Sequence, residues 1–168
     1  MHKRNFKRRN GRILREFVMS NKKTKQAKEK RNKNTVKSSY SSDGRKVVWV
    51  FDKIDKSGDY AFDINREDFN HKLFLDKLLS YSTMTWTDIK NQKHDDNKSK
   101  HHNYPFEKMS NSAQKRFEKL DLDEYSDNIF SFALTSKLRI VGFRENEKFY
   151  VLWYDANHQI YPSAKKHT

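Results

Sequence analysis

Ile129 to Pro162 reads IFSFALTSKLRIVGFRENEKFYVLWYDANHQIYP, three short runs of aromatic and β-branched residues punctuated by turn residues. Such runs at this spacing predict a β-meander. Phe130–Leu134 alternates aromatic and small residues, Thr135-Ser136 turns, and Lys137–Arg144 forms the next strand. Glu145-Asn146-Glu147 is the hairpin turn before Lys148–Tyr154. The run FYVLWY within this last strand is apolar on both faces, which places it inside the sheet rather than at an edge. Gly142 interrupts the middle strand, as expected of a bulge or a close backbone approach. Arg139 and Arg144 leave that strand in different directions, and His158 and Tyr161 stand three apart just beyond the last strand.

Upstream, Val47–Phe51 (VVWVF) is a continuous apolar run of the kind covered on both faces. Ser57-Gly58-Asp59 turns the chain, and Tyr60–Phe62 reads as a short returning strand. Asn65 is the expected N-cap of a helix reaching about Tyr81, with Glu67 and Asp68 in its first turn. Phe69, Leu73, Phe74, Leu78 and Tyr81 recur at helical spacing and form a core stripe. Thr85 and Asp88 make a capping pair opening a second short helix, with Trp86 in the core. The polar stretch 91–104 holds His94, Asp95, Asp96, His101 and His102. Lacking a helix to align them and a ligand-rich partner elsewhere, these point to a solvated loop touching phosphate rather than a metal centre. Ser110 or Ser112 caps a further helix to Leu120, with Ala113, Phe117 and Leu120 on one face and Lys115, Arg116 and Lys119 on the other. Residues 121–127 form an acidic connection. The fold class is therefore α+β: a small antiparallel sheet, made of an N-terminal strand and the meander, packed on two or three helices over residues 47–168.

The charge is unevenly placed. Residues 1–46 hold 17 Lys/Arg against Glu16, Glu29 and Asp43, which accounts for the whole net charge of +14, and the remaining 19 basic and 19 acidic residues cancel. A neutral body thus carries a basic arm, and such a block points to a polyanionic partner, nucleic acid first. The arm's candidate contacts are Lys3, Arg4, Lys7, Arg8, Arg9, Arg12, Arg15, Lys22 and Lys23. Ile13, Leu14, Phe17, Val18 and Met19 could form a short helix against a partner, while 21–42 is too polar to bury a core and is expected to be disordered when free. There is no Cys, hence no disulfide framework or thiolate chemistry. No apolar run has the length of a membrane span and no signal-like segment follows the basic start. A soluble, cytoplasmic protein is the expectation, with no membrane partner and no cofactor.

The order strand, helix, helix and three antiparallel strands, with Arg139 on the middle strand and a closing His158-x-x-Tyr161, resembles the RelE/ParE toxin superfamily over residues 47–162. Its members are small basic toxins, many of them ribosome-dependent endoribonucleases that cut mRNA. The resemblance implies that Arg139 and Arg144 contact the scissile phosphate and that His158 or Tyr161 transfers a proton. It implies further that Lys115, Lys119 and Lys137 line the RNA path, that Glu118 is a further candidate base, and that RNA, the ribosome and an antitoxin protein are the partners. Attack by a 2′-hydroxyl needs a base, an acid for the leaving oxygen and cations around the phosphorane, roles that suit His and Arg. The sequence departs from the family in carrying Ala133 where the first meander strand often has a basic residue, in a long insertion between helices, and in its length. TMTW, LWYDANHQIYPS and the closing KKHT also resemble a set of uncharacterised bacterial and mobile-element proteins, which implies no function. Two other functions compete with RNA cleavage. One is a non-enzymatic RNA- or ribosome-binding protein, the other a mobile-element protein that inhibits a host partner through its aromatic sheet.

Overall fold

The computed structural model describes residues 42–162. The arm residues Lys3 to Lys23, the short helix expected over 13–19 and the expected disorder lie outside the described residues. The meander is present as β3 (Ile129–Ala133), β4 (Arg139–Glu145) and β5 (Lys148–Asp155), antiparallel throughout. β1 (Val48–Val50) lies along β5, and β2 (His102–Asn103) lies along β3, so the five strands run β1-β5-β4-β3-β2.

The fold is α+β as expected, but the sheet is mixed, because β1 pairs with β5 in parallel. A parallel neighbour requires a crossover instead of a hairpin, and the helices between β1 and the meander provide it. β1 is also an edge strand: Val48 is 45% exposed and only Val47 of the VVWVF run is buried, so the run is not covered on both faces. Tyr60–Phe62 makes no strand of its own. It touches β5 through the single bridge Ala61 to Trp153.

Alternation along the strands sorts the side chains onto two covered faces. Phe130, Phe132, Ile140, Phe149, Val151 and Tyr154 pack under α1 (His71–Ser82) and α2 (Trp86–Asn91). Ile129, Val141, Phe143 and Trp153 pack under α3 (Asn111–Lys119) together with Ile160 and Tyr161. β5 is central, as its pattern required. α2 begins with the expected capping box, in which Thr85 and Asp88 bond each other's backbone N–H, and Trp86 is fully buried. α1 starts later than Asn65. Asn70 is the cap, its Oδ1 accepting from Leu73 N at 2.9 Å, because Arg66 forks onto Asp68 and holds 63–68 in a turn. Among the described residues no helix is long and apolar enough to cross a membrane.

Gly142 and His101 each settle a local detail of the sheet. At Gly142 the β4–β5 register shifts, and a Cβ there would lie 2.0 Å from Tyr150 O, so only glycine admits the bulge. His101, expected in a solvated loop, is only 4% exposed. Its Nδ1 accepts from Ala133 N at 3.0 Å and its Nε2 meets Gln92 Oε1 at 3.1 Å. The ring pins the approach to β2 onto β3.

Gly142→Ala is expected to cost more than about 3 kcal/mol, since the clash is with backbone that cannot turn aside, as read by urea denaturation. Burial first, then Lys100 and Arg139, push His101 down to about 3. The unfolded imidazole therefore takes a proton that the folded one refuses, and His101 contributes stability above pH ~6.5 that drains as pH falls towards ~3. The stability difference between wild type and His101→Gln should shrink by about 1.4 kcal/mol per pH unit below pH ~6.5. A pH-independent difference would contradict this account.

Candidate functional site

Asp155 closes β5 and turns the chain back over the α3 face. Its carboxylate, 2% exposed, accepts from Gln159 N at 2.8 Å and Ile160 N at 2.9 Å. The turn so formed places His158 in the left-handed region at φ 59°, which is uncommon for a non-glycine residue. Ile160 O then accepts from Ser110 N at 2.8 Å at the start of α3, and Tyr161 stacks on Tyr104 with ring centroids 3.8 Å apart.

Arg139 occupies the first position of β4, on the rung between Ala133 and Asp155. It alternates with Ile140, so it belongs to the α3 face, as does Ser131, which alternates with Phe130 and Phe132. Arg139 is only 4% exposed, and one Nη donates to Lys100 O at 2.7 Å. Among the described residues four buried side-chain atoms lack a hydrogen-bond partner: Ser131 Oγ, Arg139 Nε, His158 Nε2 and Tyr161 OH. Arg139 and Ser131 lie on the α3 face of the sheet, His158 follows Asp155, the ladder partner of Arg139, by three residues, and Tyr161 stacks on Tyr104. Leaving a buried polar atom unpaired costs about 1–3 kcal/mol, and more when it is charged. The unpaired set, a guanidinium nitrogen, two hydroxyls and an imidazole nitrogen, is one that an anionic, hydrogen-bonding group could satisfy.

The protonation states suit that description. Burial, then the Arg139 charge, hold His158 below the ordinary imidazole value against the opposing pull of Asp155, so the ring is neutral near pH 7 and its free nitrogen can accept a proton. Burial, then Tyr104 and Glu107, push the Tyr161 phenol far up, leaving it a proton donor only. Burial lowers Arg139 from its usual value, yet a guanidinium stays charged at neutral pH. A neutral imidazole and a charged guanidinium thus lie within electrostatic reach of each other, and the Tyr161 phenol keeps its proton. Beside His158 lies an open depression of about 570 Å³, bordered also by Ser136, Lys137, Asn157, Gln159 and Pro162.

Of the residues singled out from sequence, Lys137 and His158 border one depression, the Arg139 charge acts on His158, and Tyr161 is stacked on Tyr104. Arg144 does not join them. It sits near the far end of β4, with its guanidinium carbon 4.1 Å over the Trp86 ring and its head paired with Asp43 at 2.7 Å and bonded to Ser42 Oγ and Asn146 O. That is an anchoring role: it fastens residues 42–43 to the body ahead of Val47. Lys115, Lys119 and Glu118 are exposed on α3. His102 is marked in the sequence only as part of a loop touching phosphate, and Ser131, Tyr104 and Lys100 carry no signal there, because a two-residue β2 has no periodicity to bring 100–104 to the sheet. Among the described residues no group of three His, Asp or Glu side chains is placed to hold a metal ion.

The family model of Uncharacterised protein UU032 matches residues 65–168, more than half of the chain. No curated protein and no solved structure matches it.

If the Arg139 end is built for a ligand, its incompletely paired cation is a liability to the fold. Arg139→Met, similar in length and apolar, should be neutral or stabilising by about 1–2 kcal/mol in urea titrations without ligand. A loss beyond ~2 kcal/mol would mark the guanidinium as a structural strut.

Proposed function

We propose that this chain, which belongs to the UU032 family, is a toxin-like endoribonuclease that cleaves mRNA in the cytoplasm with the ribosome as platform, and that an antitoxin protein is its natural partner. The observation that carries this reading is that buried Arg139 Nε, His158 Nε2 and Tyr161 OH all lack a hydrogen-bond partner among the described residues, with the Arg139 charge acting on His158. His158 Nε2 takes the proton from the 2′-hydroxyl as its oxygen attacks the adjacent phosphorus. Arg139 faces the charge that builds on the phosphorane oxygens. Tyr161 OH protonates the departing 5′-oxygen, leaving a 2′,3′-cyclic phosphate and a 5′-hydroxyl. No cofactor enters the scheme. The basic segment 1–46 supplies affinity for RNA through counterion release, while the electrically neutral body supplies the chemistry.

A second reading is supported by the enclosure of Tyr161, whose hydroxyl is buried beneath the stacked Tyr104. In that reading the same end holds an RNA phosphate without cleaving it, and the chain is an RNA- or ribosome-binding protein. Inhibition of a host protein through the aromatic sheet finds no support, since helices cover both faces of that sheet among the described residues.

The deciding experiment is RNA cleavage with and without ribosomes by the full chain and by His158→Asn, a residue that tolerates the left-handed backbone. A loss of about 10²-fold or more in the variant, with unchanged melting temperature, is the expected result. Absence of cleavage by the wild type in both conditions, with no growth arrest on expression, would leave the binding reading in its place.

A further inference from the structure

We infer that single-stranded RNA crosses the Arg139 end of the sheet, from the depression at Lys137 and His158 to the loop of Lys93, His94 and Lys100, instead of following the exposed face of α3. This rests on the reading of the Arg139 end as a phosphate site. Two open depressions are bordered by residues tied to Arg139. One of about 570 Å³ is bordered by Lys137 and His158, the other of about 480 Å³ by Lys93, His94, Asp95, Asp96 and Lys100. Arg139 links them. Its Nη donates to Lys100 O at 2.7 Å, and its ladder partner Asp155 lies three residues before His158.

The charges along this line repel one another. Lys100 is lowered by burial, then by Lys77 and Arg139, and His102 by burial, then by Arg139, His158 and His94. Acids stand on the same line: Asp155, both of whose oxygens accept backbone N–H groups, and Asp96, which pairs with Lys98 at 2.6 Å. Asp95 is exposed and borders the same depression as Lys93 and Lys100. Lys93, Lys98, Lys100, Arg139 and Lys137 stand against Asp95, Asp96 and Asp155 along this strip, an excess of two cations that favours a polyanion. Between the depressions His102 and Tyr104 present half-buried rings 5.0 Å apart, a surface on which a base can stack. Lys115 and Lys119 on α3 have no orphaned polar atom beside them among the described residues.

The test uses the full chain and a 2′-O-methyl hexauridylate with one 4-thiouridine, which binds but cannot be cleaved. Photo-cross-links are expected in the peptides spanning 94–104 and 158–161. The double variant Lys93→Gln/Lys100→Gln should weaken binding about fivefold or more at 0.15 M salt and flatten the log K against log salt slope by about 1.4, two phosphates at ~0.7 each. Lys115→Gln/Lys119→Gln should stay within about twofold. Cross-links confined to other peptides, or unchanged affinity in the first double variant, would overturn the path. If His158→Asn abolishes cleavage while the first double variant binds normally, the path fails and the catalytic reading stands. The reverse pattern keeps the path and removes the catalysis.

Discussion

The Asp55 carboxylate, 2% exposed on its side chain, is the junction on which the layers depend. It accepts from Arg116 Nε at 2.8 Å and from the second Arg116 nitrogen at 2.6 Å, from Trp153 Nε1 at 2.9 Å and from Ser57 N at 3.1 Å. Burial alone would raise its pKa, but these bonds outweigh it and hold the carboxyl below the ordinary range. One group thus binds the edge segment, α3 and β5 together. A buried charge is tolerable only when its bonds are saturated, and here they are. Because α3 holds Ile160 through Ser110, the same junction also determines where the turn carrying His158 comes to rest.

Asp155 performs the corresponding task at the site, again with both oxygens occupied. Arg139 is the contrast. It is as deeply buried as those two acids, yet Nε is unpaired, and Ser131, His158 and Tyr161 share the defect. Elsewhere the interior satisfies its polar groups: Tyr81 OH donates to Ala133 O, Trp86 Nε1 to Glu147 O, and Tyr154 OH to Asp68 O. A fold that pairs these buried groups leaves four others without a partner among the described residues, the kind of exception that functional sites show. The left-handed backbone at His158 adds a second departure at the same spot.

The meander was legible because its cues are local: period-two alternation, turn residues at the right intervals, and a glycine where the backbones approach. The capping box at Thr85–Asp88 was legible for the same reason. What escaped depends on distant partners. β1 reads as a buried strand, but only the route of α1 and α2 makes it a parallel edge. Asn65 and Asn70 are equally good caps until Arg66 finds Asp68. His101 looks solvated until Ala133 N needs an acceptor. The same division runs through the site. Arg139, His158 and Tyr161 are singled out by the resemblance to the RelE/ParE superfamily, in which Arg144 looks equivalent to Arg139 on its strand. Asp43, 101 residues earlier in the chain, and the Trp86 ring turn it into an anchor.

The use of arginine at 139 follows from geometry. One Nη is committed to Lys100 O, which holds the plane of the guanidinium against the β2 approach and leaves Nε free. A lysine could satisfy the carbonyl or meet a ligand, but its single ammonium cannot keep a fixed plane while doing both. The fork therefore separates anchoring from binding within one side chain. It also explains why the unpaired atom survives: the anchored nitrogen keeps the head from rotating into solvent, so the desolvation cost persists until a ligand meets it. For the proposed RNA this cost is an advantage. Affinity can come from the +14 segment 1–46, which any polyanion would engage, while a ligand is rewarded at Arg139 only if a phosphate oxygen arrives along the guanidinium plane.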